Sequence, residues 1–223
     1  MQKVQFILTL ICLSSLGCHA TGGRLRQAVM PTDVRIIRYH VEEYYKSLEK
    51  FIRRLYLKNP TYEKDLEIRR AKIEAIFHGG QLPYNIFNNQ PSHKVLEAAF
   101  APDPAYKDRV FLLGLGLVKS IQETYKTEEA VYLTSMEIPI EKLERLYNNI
   151  SQVNWRLKVY HDEDGKLLFS TNEAGKNGYI NMGYEVIMTE ILTRIKDDIY
   201  LRGGAPSKLA FTLSTMFLPI LLF

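Results

Sequence analysis

A chain of 223 residues is long enough for one globular domain, or for one domain with an appendage. Its 46% hydrophobic and 24% charged residues exclude the disordered and fibrous classes. The net charge of +4, with Lys and Arg interleaved among Glu and Asp, excludes a strongly basic nucleic-acid-binding surface, so no nucleic-acid partner is expected.

The first residues have the three-part layout of a secretory signal: Lys3 without an acid, the apolar run Val4–Leu13, then Ser14-Ser15-Leu16-Gly17. Such a run is short for a membrane span. It ends in Ser15-Leu16-Gly17-Cys18, which resembles the lipobox of bacterial lipoproteins. Gly17 matches the small residue before the cut and Leu16 fits, whereas Ser15 stands where that pattern usually has leucine. The resemblance covers only this N-terminal signal. It implies that residues 1–17 are removed and that Cys18 carries fatty acyl chains such as palmitate on its thiol and new amine. Residues 18–30 would then be a lipidated tether and residues 31–223 a single mainly helical domain. His19 stands where an aspartate retains many such proteins in the inner membrane, so the resemblance implies the outer membrane, facing the periplasm.

Cysteine usage agrees. Of the two cysteines, Cys12 lies in the segment to be removed, so no internal disulfide is expected. A lone thiol in an oxidising compartment is reactive unless something caps it, and lipidation of Cys18 would. Two alternatives stay open. Cleavage after Ala20 would remove both cysteines and give a plainly secreted protein. The small residues Gly203 to Ser207 before the apolar tail, with the sequon Asn149-Ile150-Ser151, resemble a GPI-attachment signal, although the polar spacer is shorter than that signal needs.

Beyond the Gly-containing basic tether (Arg24, Arg26), Pro31-Thr32-Asp33 starts a helix. Ile37, Val41, Tyr44, Leu48, Phe51, Ile52 and Leu55 recur at spacings of three and four along it, up to Asn59-Pro60. A second amphipathic helix runs from about Thr61 to Phe77 and stops at Gly79-Gly80. After a polar loop over residues 79–91, Ser92 is an N-cap for a short helix through Phe100. Asp108 opens the most hydrophobic helix, in which Gly114 and Gly116 allow close approach of another backbone. A further helix runs from Pro139 to about Ile150. Trp155, Leu157 and Val159 then alternate with polar residues, which predicts a small antiparallel β-meander over residues 153–182. Tyr184, Ile187, Met188, Ile191, Ile195 and Ile199 define another amphipathic helix. The uncharged Leu209–Phe223 segment completes a bundle of about seven helices, packed beside Val110–Val118.

Motifs for chemistry are few. Asp162-Glu163-Asp164-Gly165 superficially suggests calcium, but aligning Gly165 with an EF-hand glycine puts Tyr160 and Thr171 where end carboxylates belong, so a hairpin turn is expected. The five histidines show no metal-ligand spacing. His40 and Glu43 share a face without a third ligand. His78 suits a helix C-terminus. The adjacent pairs Glu128-Glu129 and Asp197-Asp198 are expected to be solvated charges. No Gly-x-Ser-x-Gly, Walker or Rossmann pattern occurs, and no cofactor, metal or catalytic residue is assigned.

Tyrosine is the unusual residue, with fourteen copies. Tyr39, Tyr44, Tyr45 and Tyr56 cluster along the first helix, and Asn177, Tyr179, Asn181 and Tyr184 lie in a Gly-, Asn- and Tyr-rich stretch. These eight are the candidate contacts for a protein partner. The expected function is therefore a non-enzymatic, membrane-anchored envelope lipoprotein with a protein-binding, assembly or accessory role. The alternative is an envelope hydrolase or small-ligand binder whose site is dispersed over the fold.

Overall fold

The computed structural model describes residues 32–80, 87, 89–126, 138–171, 174, 177–180, 182–204 and 217. Six helices occur among them: α1 (Thr32–Lys58), α2 (Leu66–Phe77), α3 (Ser92–Phe100), α4 (Arg109–Tyr125), α5 (Ile140–Val159) and α6 (Gly183–Leu201). The mainly helical class is as expected. The seventh helix, Leu209–Phe223, lies outside the described residues except for Phe217.

The apolar stripe of α1 is buried from Ile37 to Leu55. Asn59 stops this helix and also ties it down: its amide Nδ2 donates to the Leu55 and Ser170 carbonyls, and its Oδ1 accepts from the Ser170 N–H at 2.7 Å. Helix α2 starts later than expected, because Asp65 caps it, accepting from the Glu67 and Ile68 amides at 2.8 and 3.1 Å. It stops at His78 and at Gly79, whose φ of +77° suits glycine.

Ser92 is not the cap of α3. Pro91 holds the N-cap position, and the Ser92 amide and hydroxyl both donate to the carboxylate of Glu123 on α4. A carboxylate brought from another helix meets the open N–H groups and the positive end of α3. Asp108 does cap α4, accepting from the Phe111 amide at 2.9 Å. Residues 109–118 of α4 are all buried, as their apolar run requires. The two glycines serve close packing, but against other helices than expected. A Cβ on Gly116 would meet Leu96 of α3 at 2.7 Å, and one on Gly114 would meet Ile52 and Ile76 at 3.1–3.3 Å.

The β-meander is not formed. Residues 153–159 continue α5, because Leu143, Leu146, Ile150, Val153 and Leu157 keep the helical period and are all buried. The alternation of Trp155, Leu157 and Val159 is incidental to it, with Trp155 and Val159 exposed around a buried Leu157. Only two isolated bridges follow among the described residues, His161 with Leu167 and Ala174 with Ile180. The Asp162–Gly165 turn is as expected: Asp162 Oδ1 accepts from the Asp164 and Lys166 amides, and Gly165 has φ +75°.

Side-chain contacts fix the topology. Tyr44 meets Tyr125 and Tyr56 meets Asp108, so α1 and α4 run antiparallel. His40 meets Asp198 while Tyr184 reaches the Arg54 carbonyl, so α1 and α6 do too. Glu49 with His78, Ser92 with Glu123, and Glu185 with Lys158 extend the alternation to α2, α3 and α5. The result is an up-and-down bundle. One end collects the end of α1, the start of α2, the end of α5 and the start of α6. The start of α1 and the end of α6 lie at the other.

Candidate functional site

Two of the four α1 tyrosines are not surface residues. Tyr44 and Tyr56 are buried, twelve residues apart on the inner stripe of α1, and each donates to a buried carboxylate. Burying a carboxylate is costly unless its lone pairs are satisfied. Asp198 of α6 has no exposed surface and accepts from three side chains: His40 Nδ1 at 2.7 Å, Tyr44 Oη at 3.1 Å and Tyr125 Oη at 2.5 Å. Burial, and then the neighbouring carboxylate, pushes the Tyr44 phenol well above its ordinary pKa. Tyr125 is raised likewise, by burial and by its contacts with Tyr44 and Asp198. Both therefore act as neutral donors.

Toward the other end, Asp108 accepts from Tyr56 Oη at 2.9 Å and from Lys72 Nζ at 2.7 Å, and Lys72 also reaches Glu63 at 2.7 Å. Burial disfavours the Lys72 charge, but the hydrogen bonds it donates to Asp108 and Glu63 outweigh that and the pKa is raised. These two clusters pin α1 to its neighbours.

Asp198 corrects the expectation of solvated acids at Asp197-Asp198. Asp197 is exposed and Asp198 is not. The signal was present, since Asp198 follows Ile191 and Ile195 by seven and three residues and so falls on the apolar stripe. Asn149 of the sequon is also fully buried. Glu128, Glu129, Cys18 and Asn181 lie outside the described residues.

Of the remaining candidate contacts, Tyr184 is buried and donates to the Arg54 carbonyl at 3.0 Å, and Tyr45 is partly buried against the core. Tyr39, Asn177 and Tyr179 are exposed, Tyr179 to 78%. Tyr179 has company. Ile180, Met182 and Val186 beside it are exposed, as are Trp155 and Val159 on the last turns of α5 and Leu57, Leu66 and Ile68 at the α1–α2 corner. All of these lie at one end of the bundle. The opposite end exposes Tyr39, Tyr200 and Leu201. Single exposed apolar side chains need no explanation, and the nine around Tyr179 are grouped toward one end of the bundle.

From this end a groove of about 470 Å³ follows the outer face of α6, lined by Met182, Glu185, Val186, Thr189, Glu190, Thr193 and Arg194. Glu185 is matched by Lys158 and accepts from Asn154 Nδ2 at 3.2 Å. These contacts overcome the opposing effect of burial, so its carboxyl is held below the ordinary value. Among the described residues no group of three His, Cys, Asp or Glu side chains could hold a metal, and no helix is long and apolar enough to cross a membrane.

Comparison of the chain with family models, curated proteins and solved structures finds no match.

Proposed function

We propose that this chain is a membrane-anchored envelope lipoprotein, held in the outer membrane through Cys18 and facing the periplasm. It acts without catalysis, binding a protein partner in an assembly or accessory role. The observation that carries the partner reading is the gathering of exposed apolar side chains around Tyr179, Met182 and Leu57 at one end of the bundle. The proposed tether joins α1 at the opposite end, at Thr32. A lipid on Cys18 would thus hold one end of the domain and leave the apolar end free to meet a partner.

The alternative, a hydrolase or ligand binder with a dispersed site, has one feature in its favour. A buried carboxylate orienting an imidazole, as Asp198 does His40, is how many general bases are held. Here the same carboxylate is also the anchor of two core tyrosines, and a structural role explains all three contacts together.

Metabolic labelling with a clickable fatty-acid analogue tests the anchor. The wild-type protein takes the label and sediments with membranes, whereas Cys18→Ala is unlabelled and released. An unlabelled wild type, or a mature N-terminus at Thr21, contradicts lipidation at Cys18.

A further inference from the structure

The α1–α2 corner carries cations that the fold does not use. Between residues 49 and 70 the acids are Glu49, Glu63, Asp65 and Glu67, and each is engaged. Glu49 accepts from Arg53 and lies 3.4 Å from His78, Glu63 accepts from Lys72, and Glu67 accepts from Arg70. Asp65 caps α2. Of the cations in this stretch, Arg69 donates to the Glu63 carbonyl. That leaves Lys50, Arg54, Lys58 and Lys64, all exposed and without a carboxylate partner among the described residues.

Lys58 meets the negative end of α1, which accounts for it. Lys50, Arg54 and Lys64 have no such reason. Lys50, Arg54 and Lys58 also follow one another at intervals of four, where like charges on a helix repel. They do not serve the stability of α1. Leu57, three residues beyond Arg54 and seven beyond Lys50, stands on the same face and is 71% exposed. Across the corner Leu66, close to Lys64, is exposed too. Cations therefore surround apolar side chains that belong to the apolar end of the bundle.

Such a surface suits an anionic bilayer or an acidic protein segment. The bilayer fits less well, because the exposed Glu163 and Asp164 occupy the same end and would be repelled by anionic headgroups. Helix α1, with 27 residues, also sets this end about 40 Å from Thr32, where the proposed tether begins. A protein segment can place its acids on the α1–α2 corner alone.

We propose that this corner binds an acidic segment of the partner, with carboxylates on Lys50 and Arg54 and an apolar side chain on Leu57. This rests on the partner-binding reading and names the charge that the partner brings. Exposed ion pairs are individually weak, so they select and steer while the apolar contact holds.

The test is fluorescence anisotropy of dye-labelled peptides with the full-length chain in phosphatidylcholine nanodiscs. The probes are acetyl-Glu-Glu-Leu-Glu-Glu-amide, its glutamine counterpart acetyl-Gln-Gln-Leu-Gln-Gln-amide, and acetyl-Glu-Glu-Ser-Glu-Glu-amide. At low salt the first binds about tenfold more tightly than either of the others. Its advantage over the glutamine peptide shrinks as salt rises to about 0.5 M. Lys50→Gln/Arg54→Gln removes that advantage and, with no internal ion pair to lose, melts like the wild type. Arg35→Gln/Lys94→Gln removes the same charge elsewhere, at residues that bond Thr32 and Glu97, and keeps the advantage.

Equal binding of the acidic and glutamine peptides, or of the leucine and serine peptides, would overturn the proposal. Equal loss in the two double variants would do the same. So would co-flotation with phosphatidylglycerol vesicles that needs Lys50 and Arg54 while the acidic peptide fails to bind, since the corner would then be a lipid contact. Partner capture at Tyr179 in intact envelopes reports on the partner reading separately. Capture that persists undiminished in Lys50→Gln/Arg54→Gln would sink the acidic segment alone. Acidic-peptide binding with no capture would sink the partner reading alone.

Discussion

Replacing Asp198 by alanine lowers the free energy of unfolding by about 3–5 kcal/mol, the range for breaking a buried, hydrogen-bonded charge cluster by removing one partner. The carboxylate is fully buried and holds His40, Tyr44 and Tyr125, so one substitution strips the acceptor from three donors on two other helices. The tyrosine hydroxyls stand 3.2 Å apart, and one can donate to the other, which recovers a single bond. The remaining two donors stay buried without acceptors, at about 1–3 kcal/mol each. Tyr44→Phe removes one donor and leaves the acceptor, so its cost is smaller, about 1 kcal/mol. Asp197→Ala, one residue away and exposed, stays within about 0.5 kcal/mol of wild type. Urea denaturation measures all three, and an unchanged m-value shows that the shift in midpoint is a shift in stability. A loss below about 1 kcal/mol for Asp198→Ala would mean that the cluster does not hold α1, α4 and α6 together.

Deleting residues 209–223 abolishes the cooperative melt. Within that segment Phe217 is 1% exposed, with the Arg156 guanidinium 4.0 Å above its ring centroid and the Phe100 ring at 6.1 Å. A buried arginine stacked on aromatic faces depends on them for cover, since burial already pulls its pKa down. Truncating a buried phenylalanine to alanine costs about 3–5 kcal/mol. Deletion removes that ring and uncovers Arg156 as well, against a net stability of about 5–15 kcal/mol for a typical domain. Phe217→Ala alone therefore melts cooperatively at a lower temperature, whereas the truncated chain does not. Circular dichroism on heating distinguishes them. A truncated protein that keeps its helicity and its sharp melt would show that the bundle stands without the segment.

The helices were legible wherever one face is uniformly apolar. Ile37 to Leu55 in α1 and Ile187 to Ile199 in α6 give the period directly, and Asp108 gives a cap. Legibility failed where the signal was local and the cause was not. Ser92 has the chemistry of a cap, but Glu123, thirty-one positions away, decides what it bonds to. Trp155 to Val159 alternates like a strand for five residues, while the helix that contains it is recognisable only over twenty. The buried clusters were the hardest part. An acid beside another acid reads as surface, and only the apolar stripe on which Asp198 falls marks it as internal. The tyrosines misled for a related reason: a ring that suits an interface suits a polar core equally well when a carboxylate meets its hydroxyl. The proposed contact surface takes in part of the Asn- and Tyr-rich stretch before α6, through Asn177 and Tyr179. Leu57 and Trp155 join it only through the up-and-down topology.

The most direct measurement of partner binding is site-specific photo-crosslinking in intact envelopes. A photoreactive phenylalanine analogue is placed at Tyr179, Ile180 or Val186, all exposed at the apolar end, or at Glu141, exposed at the other. The expected result is one partner, identical by mass spectrometry, joined to the protein from the first three positions and not from Glu141. The same adduct should vanish in Cys18→Ala, which no longer resides at the membrane. Equal adducts from Glu141, or none from the three apolar positions, would contradict an anchored module that meets its partner through that end.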